Sequence, residues 1–119
     1  MNELQASLFE QLQPTVQPKY ESESTIQQRF EIWISANPDF WRAFVGLCLQ
    51  MKRRGMTQWG AKAATEVLRY AAYVQTVGDA WKVPNEFTSR MARKAMREVP
   101  ELAGFFECRP LREAGVDDD

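Results

Sequence analysis

The amino-acid sequence predicts an all-α protein, a compact bundle of about four to five helices. Several segments repeat apolar residues at intervals of three and four, which is the spacing of one face of an α-helix. Helix start signals separate these segments, most clearly at Asn37-Pro38. The 119 residues are 45% hydrophobic and include seven Phe and four Trp, enough to bury one core. We expect an N-terminal helix and acidic linker over 1–24, a helical globular domain over 25–112 and a frayed acidic tail over 113–119.

The first helix is predicted over residues 3–12. Leu4, Leu8 and Leu12 recur every four residues, and Pro14 ends the pattern because proline cannot continue a helix. The polar stretch that follows is predicted to be a linker.

A second helix is predicted over 25–35, where Ile26, Phe30, Trp33 and Ile34 repeat at helical spacing. The polar stretch YESEST precedes it and offers side chains that can cap its first turn.

A third helix is predicted over 38–54. Asn37 offers a capping side chain, Pro38 is pre-set for a first helical turn, and the acid Asp39 suits the positive helix end. Gly55 is a natural stop. The broad apolar face of this helix comprises Phe40, Trp41, Phe44, Leu47, Cys48 and Met51.

A fourth helix is predicted over 57–75, with Thr57 as its cap. The link 55–57 is short, so this helix and its predecessor form a helix-turn-helix-like pair. Its predicted inward stripe comprises Ala64, Val67, Leu68, Ala71 and Val74. A turn signal then favours a small β-hairpin near 76–83 or an irregular loop.

The last long helix is predicted over 85–98, capped by Asn85 or Thr88 and ended before Pro100. Its apolar side chains share one side, and its basic side chains point largely the other way. The apolar set is Phe87, Met91, Ala95 and Met96, and the basic set is Arg90, Arg93, Lys94 and Arg97. After Pro100, we expect Leu102, Phe105 and Phe106 to dock onto the core.

A series of phrases between Phe30 and Arg112 resembles a family of small uncharacterised proteins of tailed bacteriophages and prophages. The phrases are Ala36-Asn37-Pro38, Gly60-Ala61-Lys62 running into Glu66-Val67-Leu68-Arg69, Lys82-Val83-Pro84-Asn85 running on to Arg93, and Gly104-Phe105-Phe106-Glu107-Cys108-Arg109. The chain departs from the family pattern at Val83-Pro84-Asn85, where asparagine repeats are usual. The resemblance implies a phage origin and implies no activity for these residues.

Composition argues against catalysis, metal binding and disulfides. The chain has no histidine, which removes the commonest metal ligand and general base. Cys48 and Cys108 are not spaced as a CxxC pair, and we expect both thiols to be reduced. No uncharged run approaches the roughly 20 apolar residues of a membrane-spanning helix, and the N-terminus does not read as a secretion signal. We expect a non-enzymatic protein of the bacterial host cytoplasm, without cofactor, metal or membrane contact.

The charges are segregated along the chain, although the net charge is only −1. Residues 1–40 hold six acidic and two basic residues, residues 41–99 hold four acidic and eleven basic residues, and residues 100–119 again hold six and two. Such blocks are typical of a polyanion-binding surface or of charged tails.

The leading hypothesis is that the chain binds nucleic acid as an accessory or regulatory factor, with DNA favoured and RNA left open. Like charges stacked on one helix face repel unless an anion such as a phosphate offsets them, so helix 85–98 is the candidate recognition helix. The bases at 52–54 would flank it in one continuous positive surface. The candidate nucleic-acid-binding residues are Lys52, Arg53, Arg54, Lys62, Arg69, Thr88, Ser89, Arg90, Arg93, Lys94 and Arg97.

Structural explanations for the same residues stay open. The arginines can form a solvated surface paired with acids elsewhere, and bases at 52–54 suit a helix C-terminus without any ligand. The aromatic residues Phe40, Trp41, Phe44, Trp59 and Trp81 can stack on nucleobases but are more often core residues.

Two other functions compete with nucleic-acid binding. One is a protein–protein adaptor or an inhibitor of a host enzyme, with acidic segments or an apolar patch as its docking site. The other is a virion or assembly component. Whether the chain forms a homodimer is left open.

Overall fold

The described residues fold into four α-helices, which pack as a bundle around an aromatic core. The structure is a computed structural model that describes residues 14–75 and 82–107, with the backbone alone for 72–75. The helices are α1 (Ile26–Ala36), α2 (Pro38–Arg53), α3 (Ala61–Gln75) and α4 (Thr88–Glu98), and 3₁₀ turns lie at Asn85–Phe87 and Pro100–Leu102. The predicted all-α bundle is confirmed.

Three predicted elements fall wholly or mainly outside this range. The helix over 3–12 and the tail over 113–119 lie outside the described residues. Of the segment 76–83, only residues 82 and 83 are described, and they are not in a strand. Within 14–75 and 82–107 the only β-type pairing is an isolated parallel bridge between Trp59 and Phe106.

The first turn of α1 is fixed by a capping box. The Thr25 hydroxyl accepts a hydrogen bond from the Gln28 backbone N–H at 3.0 Å, and the Thr25 backbone N–H donates to the Gln28 side-chain oxygen at 2.9 Å. This reciprocal pair satisfies two N–H groups that the helix itself leaves free. The prediction for this helix is therefore correct to within one residue.

Asn37 lies between α1 and α2, but its side chain does not cap α2 as the sequence predicted. The buried amide group instead donates to the carbonyl oxygens of Trp33 and Val16, at 2.9 and 3.0 Å, and its oxygen accepts the Val16 N–H at 2.7 Å. These three bonds use both N–H donors of the buried amide and give its oxygen a donor, so neither polar atom is left without a partner. Asn37 thus fastens the segment before α1 to the junction between two helices.

The connection between α2 and α3 spans residues 54–60, longer than the predicted link 55–57. Gly55 ends α2 with φ of +110°, a conformation that glycine adopts readily. Thr57 is exposed and does not cap a helix, because the chain stays non-helical as far as Trp59. There the Trp59 N–H donates to the Phe105 carbonyl at 3.0 Å, and its carbonyl accepts the Glu107 N–H at 3.3 Å. These bonds to a distant segment delay the start of α3 to Ala61.

The core is built from aromatic rings contributed by α1, α2 and the C-terminal segment. Trp33 lies 5.2 Å from Phe40 in an edge-to-face arrangement, and Phe44 stacks on Phe106 at 5.9 Å. Such pairs stabilise beyond the burial of their area. The predicted packing of Phe40 and Phe44 is confirmed, and Trp41 and Trp59 are partly buried against the same core. The predicted docking after Pro100 is also confirmed, since Leu102, Phe105 and Phe106 are buried.

Helix α3 buries a stripe that differs from the predicted one; Ala71 of that prediction is partly buried, and the side chain of Val74 lies outside the described residues. Ala61, Ala64 and Leu68 are buried, with Thr65 beside them. Val67, which was predicted to point inward, is 39% exposed. The reason is that α3 packs mainly against α2 and α4, which cover only the side of Ala64 and Leu68.

Candidate functional site

Helix α4 carries the predicted recognition face, and the structure turns part of that face inward. Arg90 is only 6% exposed, and its Nε donates to the side-chain oxygen of Gln27 on α1 at 3.0 Å. The prediction that Arg90 points to solvent is therefore wrong. Amphipathic spacing had placed Arg90 opposite the apolar stripe, but α1 covers that side as well.

Three further candidate residues of α4, Thr88, Arg93 and Lys94, also make contacts within the chain. The Lys94 ammonium lies 2.6 Å from the Glu98 carboxylate and 5.3 Å above the Trp41 ring. Arg93 donates to the Ser89 carbonyl at 3.3 Å, and the Thr88 hydroxyl donates to the Asn85 carbonyl at 3.1 Å. These contacts compete with any phosphate for the same donors.

A crevice of about 180 Å³ separates α4 from α1. Its lining consists of Gln27, Phe30, Glu31, Ile34, Ser35, Lys94, Arg97 and Glu98. Arg97 is exposed, and no ion pair or hydrogen bond to it is found among the described residues. Within α4 only Arg97 and Glu98 are exposed, so the helix offers a short outer surface.

The second predicted basic group lies at the end of α2, and two of its three residues contact Glu101. Arg53 contacts Glu101 through two hydrogen bonds, Nε to Oε2 at 2.8 Å and Nη2 to Oε1 at 2.7 Å. The hydrogen bond from Arg53 lowers the pKa of Glu101 below its usual value. The Lys52 ammonium donates to the Glu101 carbonyl oxygen. Arg54 is exposed, and the described part of the chain offers it no ion pair.

The two basic groups do not meet in one surface. Lys94 lies over Trp41 near the start of α2, whereas Arg53 is the last residue of α2. At 1.5 Å per residue these two points of α2 are about 18 Å apart along its axis. The predicted continuous positive surface is therefore divided between the two ends of α2.

The two remaining candidates lie on α3. Lys62 is exposed in its first turn, and no ion pair to it is found among the described residues. Arg69 reaches Glu66, one turn earlier on the same helix, at 3.9 Å. Arg54 is thus the first residue of the 54–60 connection, and Lys62 lies two residues after its end.

A groove beside α1 was not predicted from the sequence. It has a volume of about 690 Å³ and lies between the segment before α1 and the outer face of that helix. Its lining consists of Lys19, Glu21, Ser24, Gln28, Glu31, Ile32 and Ser35. Ile32 is 42% exposed there. The sequence did contain a signal, because Ile32 lies outside the inward stripe of α1.

Cys48, the cysteine that lies within the described residues, does not line the crevice or the groove. Cys48 is fully buried in the core, and burial raises the pKa of its thiol to about 12. A thiol of this kind is protonated and unreactive at neutral pH. No group of three or more potential metal ligands occurs within the described ranges. Cys108 lies outside those ranges, as does Trp81.

No helix in the described parts of the chain has the combination of length and apolar character needed to cross a membrane. In comparisons with known proteins, no protein-family model, no curated protein and no solved structure matches the chain.

Proposed function

We propose that the chain is a protein-binding adaptor whose groove beside α1 accepts a basic segment with apolar side chains from a partner protein. The observation that supports this most is an apolar side chain exposed between carboxylates: Ile32 lies in the groove with Glu21 and Glu31. A partner side chain that covers Ile32 removes apolar surface from water, and this burial stabilises the complex.

The electrostatics of the groove select a basic partner. Glu31 accepts one long hydrogen bond from Gln27, at 3.4 Å, and Glu21 and Glu23 have no ion pair within the described residues. Lys19 is the single basic residue of the lining. Lysine or arginine side chains beside these carboxylates would supply the missing counter-charge and fix orientation.

Binding to short peptides tests the proposal directly. We would titrate fluorescent peptides that alternate leucine with lysine, and matched peptides that alternate leucine with glutamate, and follow anisotropy together with amide chemical shifts. The basic peptides should bind and shift the amides of Gln28, Ile32 and Ser35, and the acidic peptides should not.

Two variants of similar exposure separate the groove from the rest of the surface. Ile32→Glu should abolish peptide binding, whereas Val67→Glu on α3 should leave it unchanged, since these side chains are 42% and 39% exposed. Equal binding of basic and acidic peptides, or shifts that avoid α1, would contradict the proposal.

Nucleic-acid binding is the second candidate, now centred on the 54–60 connection rather than on α4. Arg54 and Lys62 favour it, because both are exposed and neither has an ion pair among the residues that the structure describes. Two or three phosphate contacts would give weak, strongly salt-dependent binding without base recognition.

An electrophoretic shift series at two salt concentrations tests this candidate. Arg54→Glu with Lys62→Glu should remove the shift of double-stranded DNA, and Arg42→Glu is the control because Arg42 pairs with Asp39 at the other end of α2. A shift that persists in the double variant, or that does not depend on salt concentration, would rule out this site.

In line with the resemblance to phage proteins, we propose a protein of the bacterial host cytoplasm as the adaptor's partner.

A further inference from the structure

Helix α1 forms a wall of two neighbouring concave surfaces, the groove at Ile32 and the crevice against α4. Glu31 and Ser35 are exposed and line both of them. Around the helix axis, Ile32 of the groove lies about 100° from Glu31 on one side, and Ile34 of the crevice lies about 60° from it on the other. Glu31 and Ser35 therefore form a ridge between the two surfaces, and a ligand that crosses this ridge contacts both.

The two surfaces carry unbalanced charges of opposite sign. In the groove, Glu21 and Glu31 have no ion pair within the described residues. In the crevice, Lys94 is paired with Glu98 at 2.6 Å, whereas Arg97 is exposed and has no ion pair or hydrogen bond within the same residues. A ligand that lies across the ridge thus meets carboxylates first and a guanidinium second.

We infer that the basic segment bound in the groove ends in the crevice, where Arg97 binds its C-terminal carboxylate. The inference rests on the proposed adaptor function and adds the direction of the bound segment and the chemistry of its last residue. A basic side chain beside Glu31 and a carboxylate beside Arg97 match the order of charges on the protein. A guanidinium can donate two parallel hydrogen bonds to one carboxylate, and capture of a chain end is a recurring mode of peptide recognition.

The dimensions of the crevice favour a chain end over a chain that continues. Its volume is about 180 Å³, compared with about 690 Å³ for the groove. Among its lining residues Phe30 and Ile34 are buried, and Gln27 is joined to Arg90 of α4 by a hydrogen bond. A terminal residue can stop in such a space, whereas a continuing chain needs a way out. An extended chain covers about 3.3 Å per residue, so three or four residues suffice to cross the roughly 10 Å width of α1.

Peptides that differ only at the C-terminus test the inference on the full chain. All three repeat leucine and lysine: one ends in a free carboxylate, one in a carboxamide, and one in a carboxamide with aspartate as its last residue. The free carboxylate should bind roughly five- to tenfold more tightly than the plain carboxamide, because it gains charge-assisted hydrogen bonds. The aspartate peptide, whose carboxylate is on a side chain, should bind no more tightly than the plain carboxamide.

Two exposed arginines provide the variant and its matched control. Arg97→Gln should remove the preference for the free carboxylate and leave the affinity for the carboxamide unchanged. Arg54→Gln should keep the preference, because Arg54 is also exposed but lies beyond the far end of α2. In the wild type, the side-chain Nε–H resonance of Arg97 should shift with the free-carboxylate peptide and stay in place with the carboxamide.

Three results would overturn the inference. They are equal affinities for the free carboxylate and the carboxamide, a preference that persists in Arg97→Gln, and an equally large gain from the aspartate peptide. Each of them can occur while Ile32→Glu still abolishes peptide binding, and then the adaptor function stands and only the position of the chain end is wrong. A chain that binds none of the lysine peptides contradicts the adaptor function itself, and the inference fails with it.

Discussion

Helices α3 and α4 are neighbours with opposite relations to solvent. Helix α4 is rich in arginine and lysine, yet it is enclosed: it packs against α3 and both 3₁₀ turns, Arg90 contacts Gln27 of α1, and Lys94 lies over Trp41 of α2. Helix α3 is richer in apolar side chains, yet it exposes Tyr70 and much of Val67. The polar helix is inside and the apolar helix is at the edge.

The two helices show that the number of neighbouring elements determines which side chains of a helix are buried. Long basic side chains can lie within a bundle when their stems pack and their charged ends find acceptors. A valine or tyrosine can remain exposed when no element lies over it. A charged helix face is thus weak evidence for a ligand, and an uncovered apolar face on an edge helix is stronger evidence for a partner.

The largest expected effect comes from shortening one apolar side chain on each helix. Met91→Ala on α4 should lower the free energy of unfolding by about 2 to 5 kcal/mol, because Met91 is fully buried and a cavity would remain. Val67→Ala on α3 should change it by less than about 0.5 kcal/mol under monomeric conditions. Urea denaturation measures both values, and similar losses would contradict the contrast between enclosed and edge helices.

Two arginines within α4 should also differ in their effect on stability. Arg90→Ala removes a buried guanidinium and leaves Gln27 without its donor, so it should cost about 1 to 3 kcal/mol. Arg97→Ala should stay within about 0.5 kcal/mol, since Arg97 is exposed. Thermal unfolding of the two variants provides the comparison. Equal and negligible losses of stability would show that Arg90 contributes no more to the fold than the exposed Arg97.

A smaller effect is expected where Lys94 lies over Trp41. A double-mutant cycle with Lys94→Met and Trp41→Leu should give a coupling of about 0.5 to 1 kcal/mol, the range for a partly exposed cation–π contact. Glu98→Gln provides a control that alters the ion pair of Lys94 and keeps the ring. A coupling of zero would show that the ammonium interacts with Glu98 alone.

The smallest effect concerns the pKa of Glu101 at the other end of α2. Its hydrogen bonds from Arg53 lower the pKa in the folded state, so the pair adds stability above the ordinary carboxyl pKa and loses it as pH falls through the lowered value. In Arg53→Gln the carboxyl pKa should rise toward its ordinary value. A carbon-detected NMR titration measures this directly. An unchanged pKa of Glu101 would contradict the ion pair with Arg53.

Local signals predicted the elements that local contacts determine. Helix α1 begins where polar capping residues precede an apolar stripe, and α2 begins at Pro38 and ends beside Gly55, close to the predicted bounds. Phe40 and Phe44 of α2 are core residues, as their spacing predicted, and Trp41 is partly buried against them.

The remaining features depend on partners that are distant in sequence. The start of α3 could not be predicted from Thr57. The backbone of Trp59 pairs with Phe105 and Glu107, which are distant in sequence, and this pairing keeps the helix from starting at Thr57. The burial of Arg90 could not be predicted either, since it requires knowing that α1 lies over α4. The groove at Ile32 follows from how the segment before α1 folds back, which periodicity does not encode.

The pairing of Trp59 with the C-terminal segment sets a lower limit on the length of an autonomously folding fragment. Ending the chain before Phe105 would keep the sequence of every described helix, but it would uncover the ring of Phe44 and leave the Trp59 amide and carbonyl without acceptor and donor. We therefore expect a fragment that ends before Phe105 to be less stable than one that extends to Glu107.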